Sequence, residues 1–337
     1  MDVICDVCGS ELSDPDKAIC SCGGYLEPQS PVLKHAVSMN EGGTPEVDCG
    51  GFADELGVSG LIVKNEAANP TGSFYDRGMA RVFSRLIDED DVEGVRISSP
   101  GASAVSAAAY GGRAGVSVEA AVPARSSFDA KAYVNVHGGE MSVVRGKMDA
   151  AEERLEDLGG ADISPVKRPE FVAGGTEIGR ELNEEGVDHV FCPAGGGVLP
   201  YCLHHGLDDE LVLHVVQPER CCPLARFFSD GVYEAVEEPD TVVGELEYPE
   251  PTVPERALAR MDKQRTVEGT VVADGDSLDV GIEVMQEAGV PLSPAGAVAF
   301  AAAFSSELTQ EPKVAVVNPA AALGYGDVFR NRLMLYE

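Results

Sequence analysis

The stretch Gly60-Leu61-Ile62-Val63-Lys64-Asn65-Glu66, followed closely by Asn69-Pro70-Thr71-Gly72-Ser73-Phe74-Tyr75-Asp76-Arg77-Gly78, sets the rhythm of the chain. Its apolar run reads as a strand over 60–64, and the pattern over 73–87 reads as a helix. Working outward, the same alternation continues. Strands are expected at 94–98, 116–122, 141–145, 187–192, 211–217 and 313–318, and helices at 102–114, 128–137 and 148–158. Strands alternating with helical segments of this length imply right-handed crossovers and a mostly parallel sheet covered on both faces, hence an α/β fold. From Pro28 to Pro45 the chain is punctuated by Pro28, Pro31, Pro45 and a Gly42-Gly43 pair, which mark a linker. Residues 234–254, rich in acids and prolines, break the rhythm and are expected to form a solvated excursion.

Composition narrows the range of function. The 337 residues carry a net charge of −32, from 57 acidic against 25 basic side chains, and the basic set divides into 8 Lys and 17 Arg. A surface so rich in hydrated carboxylates suits a high-salt cytoplasm, because at molar salt the Debye length falls to about 3 Å and self-repulsion is screened. Nucleic-acid and anionic-membrane roles are excluded by the lack of a basic footprint: no Lys/Arg run exceeds two residues. No apolar run approaches the length of a membrane span or a signal peptide, so a cytoplasmic location is expected.

Nine cysteines in a reducing compartment are read as metal ligands or buried apolar residues. Cys5-Asp-Val-Cys8-Gly and Cys20-Ser-Cys22-Gly-Gly place four thiols in two tight pairs, each followed by glycine. Two such turns can present four thiolates to one structural zinc ion, although the second pair is Cys-x-Cys where zinc ribbons usually have Cys-x-x-Cys. The alternative is four reduced thiols in a decayed ribbon. Cys49, Cys192, Cys202, Cys221 and Cys222 are expected to be buried small hydrophobes. His204, His205 and His214 lack metal spacing and are expected at the surface or on helices.

The motif over 69–78 resembles the signature of threonine synthase, Asn-Pro-Thr-Gly-Ser-Phe-Lys-Asp-Arg-Gly, at nine of ten positions. Tyr75 stands where the family has its Schiff-base lysine. Ser98-Ser99-Pro100-Gly101-Ala102 resembles the family loop whose asparagine meets the cofactor ring, with Ala102 at that position. Cys192-Pro193-Ala194-Gly195-Gly196-Gly197 resembles the glycine loop that holds the cofactor phosphate. Gly174-Gly175-Thr176, residues 266–303, which resemble the family's closing helices, and the N-terminal cysteine pairs extend the likeness over nearly the whole chain. The family's pyridine-nitrogen contact falls near Asn318, where the spacing has changed.

The resemblance implies the two-lobed, doubly wound fold of the pyridoxal-phosphate-dependent tryptophan synthase beta superfamily. Its expected boundaries are a zinc-ribbon-like knuckle over 1–28, a large domain over 44–90 and 150–337, and a smaller lobe over 91–149. It implies cofactor contacts at Gly195, Gly196, Gly197, Ser99, Gly101 and Ala102, and substrate contacts at Asn69, Thr71 and Ser73. A phenol cannot form the imine on which pyridoxal chemistry depends, so no catalytic residue is assigned and any pyridoxal phosphate would bind non-covalently. Lys64 is the one lysine near the motif, and it is expected to pair with a carboxylate such as Glu66. The expected function is a ligand-binding or regulatory pseudoenzyme for a small phosphorylated or amino-acid ligand. Two alternatives stand beside it. One is an active lyase converting O-phosphohomoserine to threonine through another lysine, and the other is a non-catalytic partner subunit of an active paralogue. A homodimer is what the architecture of relatives implies.

Overall fold

Strands covered by helices on both sides must be apolar on both faces, and the central strands of this chain are. The computed structural model describes residues 2–13, 17–29, 36–88, 92 and 94–335. In chain order the strands are β1 (Val3–Cys5), β2 (Glu11–Leu12), β3 (Leu26–Pro28), β4 (Glu46–Asp48), β5 (Gly60–Asn65), β6 (Gly94–Ser98), β7 (Ser117–Pro123), β8 (Glu140–Val144), β9 (Ala161–Asp162), β10 (His189–Pro193), β11 (Val212–Pro218), β12 (Val267–Val272) and β13 (Lys313–Asn318). Two compact units result: one of Met1–Gly42, Asn69–Glu177 and Thr252–Arg260, the other of Gly43–Ala68, Ile178–Pro251 and Met261–Glu337.

The second unit is built on a six-stranded sheet ordered β12-β11-β10-β13-β5-β4. All its pairings are parallel except that of β4, which runs antiparallel along β5 and sets Glu46 opposite Lys64. Leu61, Val63, Phe191, Val216, Val314 and Val316 share one core with the helix Pro294–Ser305. That helix has no charged residue and almost no exposed face, so burial on all sides holds it. Pro294 at its first position and the Ser293 hydroxyl, accepting the Gly296 N–H at 3.1 Å, fix where it starts.

The first unit carries a parallel four-stranded sheet ordered β8-β7-β6-β9 and an antiparallel three-stranded sheet, β2-β1-β3, around the N-terminal cysteines. The helix Ala102–Ala114 crosses from β6 to β7, and its small residues let it lie close. A Cβ on Gly111 would run into Val118, and the Phe83 ring is 3.3 Å away.

This division differs from the expected one. Residues 69–88 and 150–177 belong with the four-stranded sheet, not with the larger one. The cause is close packing of the helix Tyr75–Leu86: a Cβ on Gly78 would overlap the Phe171 ring, and one on Gly174 would overlap the Arg77 carbonyl. Other expectations also need correction. Residues 267–272 form β12, and only after it come the helices Asp274–Glu287 and Pro294–Ser305. The acidic excursion is only partly solvated, since Thr241, Val243, Leu246, Glu247 and Val253 are buried.

Of the three histidines singled out, His204 lies on the helix Val198–His204 as expected, and His214 lies on a strand. His214 lies buried, stacked at 4.0 Å on Phe191 and bonded at 2.8 Å to His189. His204 takes hydrogen bonds with Arg265 and Gln264. Burial pushes His204 down to about 4, and His205 and His214 down to about 3. Cys49, Cys192, Cys202, Cys221 and Cys222 are buried as expected. Among the described residues, no helix is long and apolar enough to cross a membrane.

Candidate functional site

In the first unit the motif over 69–78 is a loop running into the helix Tyr75–Leu86. Asn69 accepts the Gly42 N–H at 2.9 Å, and Gly72, at φ 83°, completes the turn by donating to the Asn69 carbonyl. Thr71 is drawn inward: its N–H and hydroxyl donate to Asp76 at 2.6 and 2.5 Å. Ser106 donates to the same carboxylate at 2.6 Å. Burial nevertheless pushes Asp76 up to about 6, with the Ser106 and Thr71 bonds pulling it down and Glu41 adding to the rise. Ser73 is buried, and its hydroxyl has no hydrogen-bond partner among the described residues. Tyr75, the first residue of the helix, is half-buried with its ring centroid 4.1 Å from that of Phe74 and 5.9 Å from that of Phe171.

The second loop of this unit follows β6. The Ser99 hydroxyl accepts the N–H groups of Gly101 and Ala104, at 2.9 and 3.1 Å, and that of Ser103 lies 2.7 Å away. Gly101 has φ 150°, and a Cβ there would stand 3.0 Å from Ala130. Ala102 is the first residue of the helix Ala102–Ala114. Ser99 therefore shapes the loop, and Ala102 offers no polar side-chain atom.

In the second unit β10 ends in Ala194 and the glycine turn. Gly197, at φ 98°, caps the short helix Val198–His204. The Gln217 amide donates to the carbonyls of Ala194 and Gly195, both at 3.1 Å, and its oxygen accepts from Leu224 and Ala225, so the turn is held from below. Asn318, at the end of β13, is committed to the framework. Its amide donates to Asn65 and to the Pro291 carbonyl, and its oxygen accepts the Ser293 N–H.

Lys64 is fully buried on β5, and its partners are not the expected one. Its ammonium donates to the Thr44 carbonyl at 2.7 Å, lies 2.6 Å from Glu181, and pairs with Glu46. Glu66 instead accepts the Thr44 hydroxyl at 2.6 Å. The antiparallel register of β4, which sets Glu46 opposite Lys64, decides this; Glu66 has already left the strand for a turn.

The thiols of Cys5, Cys8, Cys20 and Cys22 converge, all four sulfurs lying within 4.8 Å of one another. Cys5 and Cys22 are 3.4 Å apart and Cys8 and Cys20 3.8 Å. A tetrahedral site with Zn–S of about 2.3 Å needs sulfurs about 3.8 Å apart, so the donor set fits zinc. The glycines serve this geometry: Gly23 adopts φ 91°, and a Cβ on Gly24 would lie 2.6 Å from the Cys5 sulfur.

A sequence profile described as pyridoxal-phosphate dependent enzyme matches residues 37–320. The chain belongs to the pyridoxal-phosphate dependent enzyme family. It is 27% identical to a threonine synthase from Methanosarcina acetivorans over 292 residues, 80% of this chain and 71% of that one. A threonine synthase from Methanocaldococcus jannaschii is 35% identical over 167 residues, 47% of this chain and 41% of its relative. In fold the chain is similar to maize serine racemase, with TM-score 0.75 and 19% identity over 87% of this chain and 92% of that one. Threonine deaminase isoform 2 from Solanum lycopersicum superposes with TM-score 0.74 at 22% identity, covering 87% of each chain.

The family's cofactor asks for an anion cradle and a primary amine. The glycine turn fits the first: a left-handed glycine heads a helix, and the turn's carbonyls face the Gln217 amide. The amine is not met in the motif, whose helix begins with the phenol of Tyr75, and the Lys64 ammonium is engaged by three oxygens. One group of residues escaped the sequence reading: Glu245, Tyr248, Ser293 and Tyr325, which gather beside Gly195 in the second unit. Glu245 lies in a run of acids that reads as solvated surface, so only its contacts reveal it.

Proposed function

We propose that this member of the family is a ligand-binding or regulatory pseudoenzyme of threonine-synthase type, in which Tyr75 replaces the Schiff-base lysine. The observation that carries the reading is the state of the two candidate groups. Tyr75 sits as a phenol packed between Phe74 and Phe171, and the Lys64 nitrogen is engaged by the Thr44 carbonyl, Glu46 and Glu181. Pyridoxal phosphate, when bound, would supply an electron sink. Within the second unit, the residues of this chain that would hold it are the glycine turn over Gly195, Gly196 and Gly197, without a covalent link. The small ligand is a phosphorylated or amino-acid compound. The four-cysteine cluster holds structural zinc, and the acidic surface suits a high-salt cytoplasm.

The test is to purify the chain in multimolar salt with added pyridoxal phosphate, treat it with borohydride, and measure intact mass and visible absorption. The expected result is no reducible yellow band, no added cofactor mass and no phosphate release from O-phosphohomoserine. A stoichiometric adduct mapped to a lysine would overturn the reading in favour of an active lyase.

A further inference from the structure

The helix Phe128–Val136 of the first unit turns its apolar side outward. Val134 is its one buried residue, whereas Phe128 is 82% exposed, Val136 73% and Tyr133 55%. Phe128, Ala132 and Val136 follow one another at intervals of four, so they form a single ridge, and Tyr133 stands beside it. Single exposed apolar side chains are ordinary on a protein surface, but a ridge of them along the outer side of a helix is not. The helix is held without that ridge. The Ser127 hydroxyl accepts the Ala130 N–H at 3.1 Å and fixes its start, and Val134 packs so closely underneath that a Cβ on Gly139 would stand 3.0 Å from it.

The surroundings of the ridge differ in charge from the rest of the chain. Residues 125–147 carry Arg125, Lys131, Arg145 and Lys147 against Asp129 and Glu140, so bases outnumber acids here, where the whole chain has 25 bases to 57 acids. Two copies at −32 each repel wherever acid meets acid, and a two-fold contact puts the same patch on both sides, so only a patch of mixed charge can pair with itself. The ridge is also its own complement. Two such helices crossing antiparallel at Ala132 set Phe128 of each against Val136 of the other, and the small Ala132 side chains let the axes approach. The same register sets Lys131 of one copy opposite Tyr133 of the other, cation to ring, and Asp129 opposite Asn135. No two like charges of the helix meet.

We propose that the helix Phe128–Val136 is a self-association surface, on which a second copy of this chain docks antiparallel about a two-fold axis at Ala132. The occupant is a second copy because the helix supplies both halves of the contact, ridge to ridge and base to ring; an acidic partner would meet the bases alone. The nine-residue helix is about 13 Å long and covers less than the ~800 Å² per partner of a stable interface, so the pair is reversible and grows with concentration. This surface is independent of the ligand-binding reading above.

The experiment is sedimentation velocity of the full chain, with added zinc and in multimolar potassium chloride, over about a hundredfold range of concentration. Wild type is expected to pass from monomer to dimer, and Phe128→Ser combined with Val136→Ser to weaken the association at least about tenfold. Because both side chains are mostly exposed, the urea midpoint of that variant is expected to hold. Ala132→Cys, at the axis, is expected to give a covalent dimer beyond the wild-type background when oxidised glutathione takes up the two electrons of the new bond. Asn135→Cys places its two thiols about 9 Å apart along the helices and is expected to stay at that background. A wild-type chain that remains monomeric throughout overturns the proposal. A dimer untouched by the double substitution, or cross-linking through residue 135 as fast as through 132, overturns it too and moves the contact to another surface.

Discussion

Asp76→Asn isolates the electrostatic cost of the motif loop. Asp76 titrates at about 6 in the folded chain against an ordinary value of 3.8, a rise of about 2 units, and burial is its main cause. At about 1.4 kcal/mol per unit, the ionised carboxylate costs the folded state about 3 kcal/mol relative to its neutral form. The sign follows from the raised value. This group's contribution to stability is fully present below pH 3.8 and is lost as pH rises through 6. Asparagine mimics the neutral acid: its oxygen still accepts from Thr71, and the Ser106 hydroxyl can turn to accept from its amide. Urea unfolding of both proteins in the same multimolar salt, at steps from pH 4 to pH 7.5, is the assay. The variant is expected to match wild type near pH 4 and to exceed it by up to about 3 kcal/mol above pH 6.5. Repulsion from the rest of the surface cancels in the difference. A gap independent of pH, or a variant weaker than wild type at pH 7, would refute the reasoning.

Lys64→Met leaves Glu46 and Glu181 facing each other without their cation; since both are about a quarter exposed, the expected loss is about 2–4 kcal/mol, read from the urea midpoint. Gly78→Ala drives a methyl into the Phe171 ring and is expected to cost about 1–3 kcal/mol, with Phe171→Leu in the same chain recovering part of it in a double-mutant cycle. Elemental analysis is expected to find one zinc per chain, lost on Cys8→Ser, and prolonged chelation is expected to lower Tm; a metal-free chain with unchanged Tm would count against the site. Transfer from about 3 M to about 0.1 M potassium chloride is expected to lower Tm, because the −32 charge is then no longer screened.

Much of the fold was legible because short apolar runs and Ala-rich or amphipathic stretches differ in period. β5, β6, β7, β8, β10, β11 and β13 fall within one or two residues of where the pattern put them. Strand β12 was missed because Val267-Glu268-Gly269-Thr270 lacks an apolar run. The unit boundary was missed for a different reason: it depends on Gly78 meeting Phe171 and Gly174 meeting Arg77, contacts between segments 93 and 97 residues apart. Motif likeness singled out Asn69, Thr71, Ser73, Ser99 and the glycine turn, but not what their atoms do. Thr71 turning onto Asp76 and Lys64 choosing Glu46 are decided by register and burial, which a linear pattern does not encode. His204 lies on a helix as expected, whereas His214 was misread because it is buried on β11 against the stacked Phe191 ring.

The strand order of the six-stranded sheet has a consequence for synthesis. β13 lies at the centre, between β10 and β5, yet of the six strands in this sheet it is the last to leave the ribosome. Until residues 313–318 emerge, β5 with β4 and β10 with β11 and β12 are two separate fragments with their inner edges bare. Closure of this unit thus waits for residues 313–318, with high contact order and a slow final step. A chain stalled before residue 313 would expose two parallel-strand edges at once, and the dense negative charge that burdens the finished protein is what keeps such unfinished chains apart.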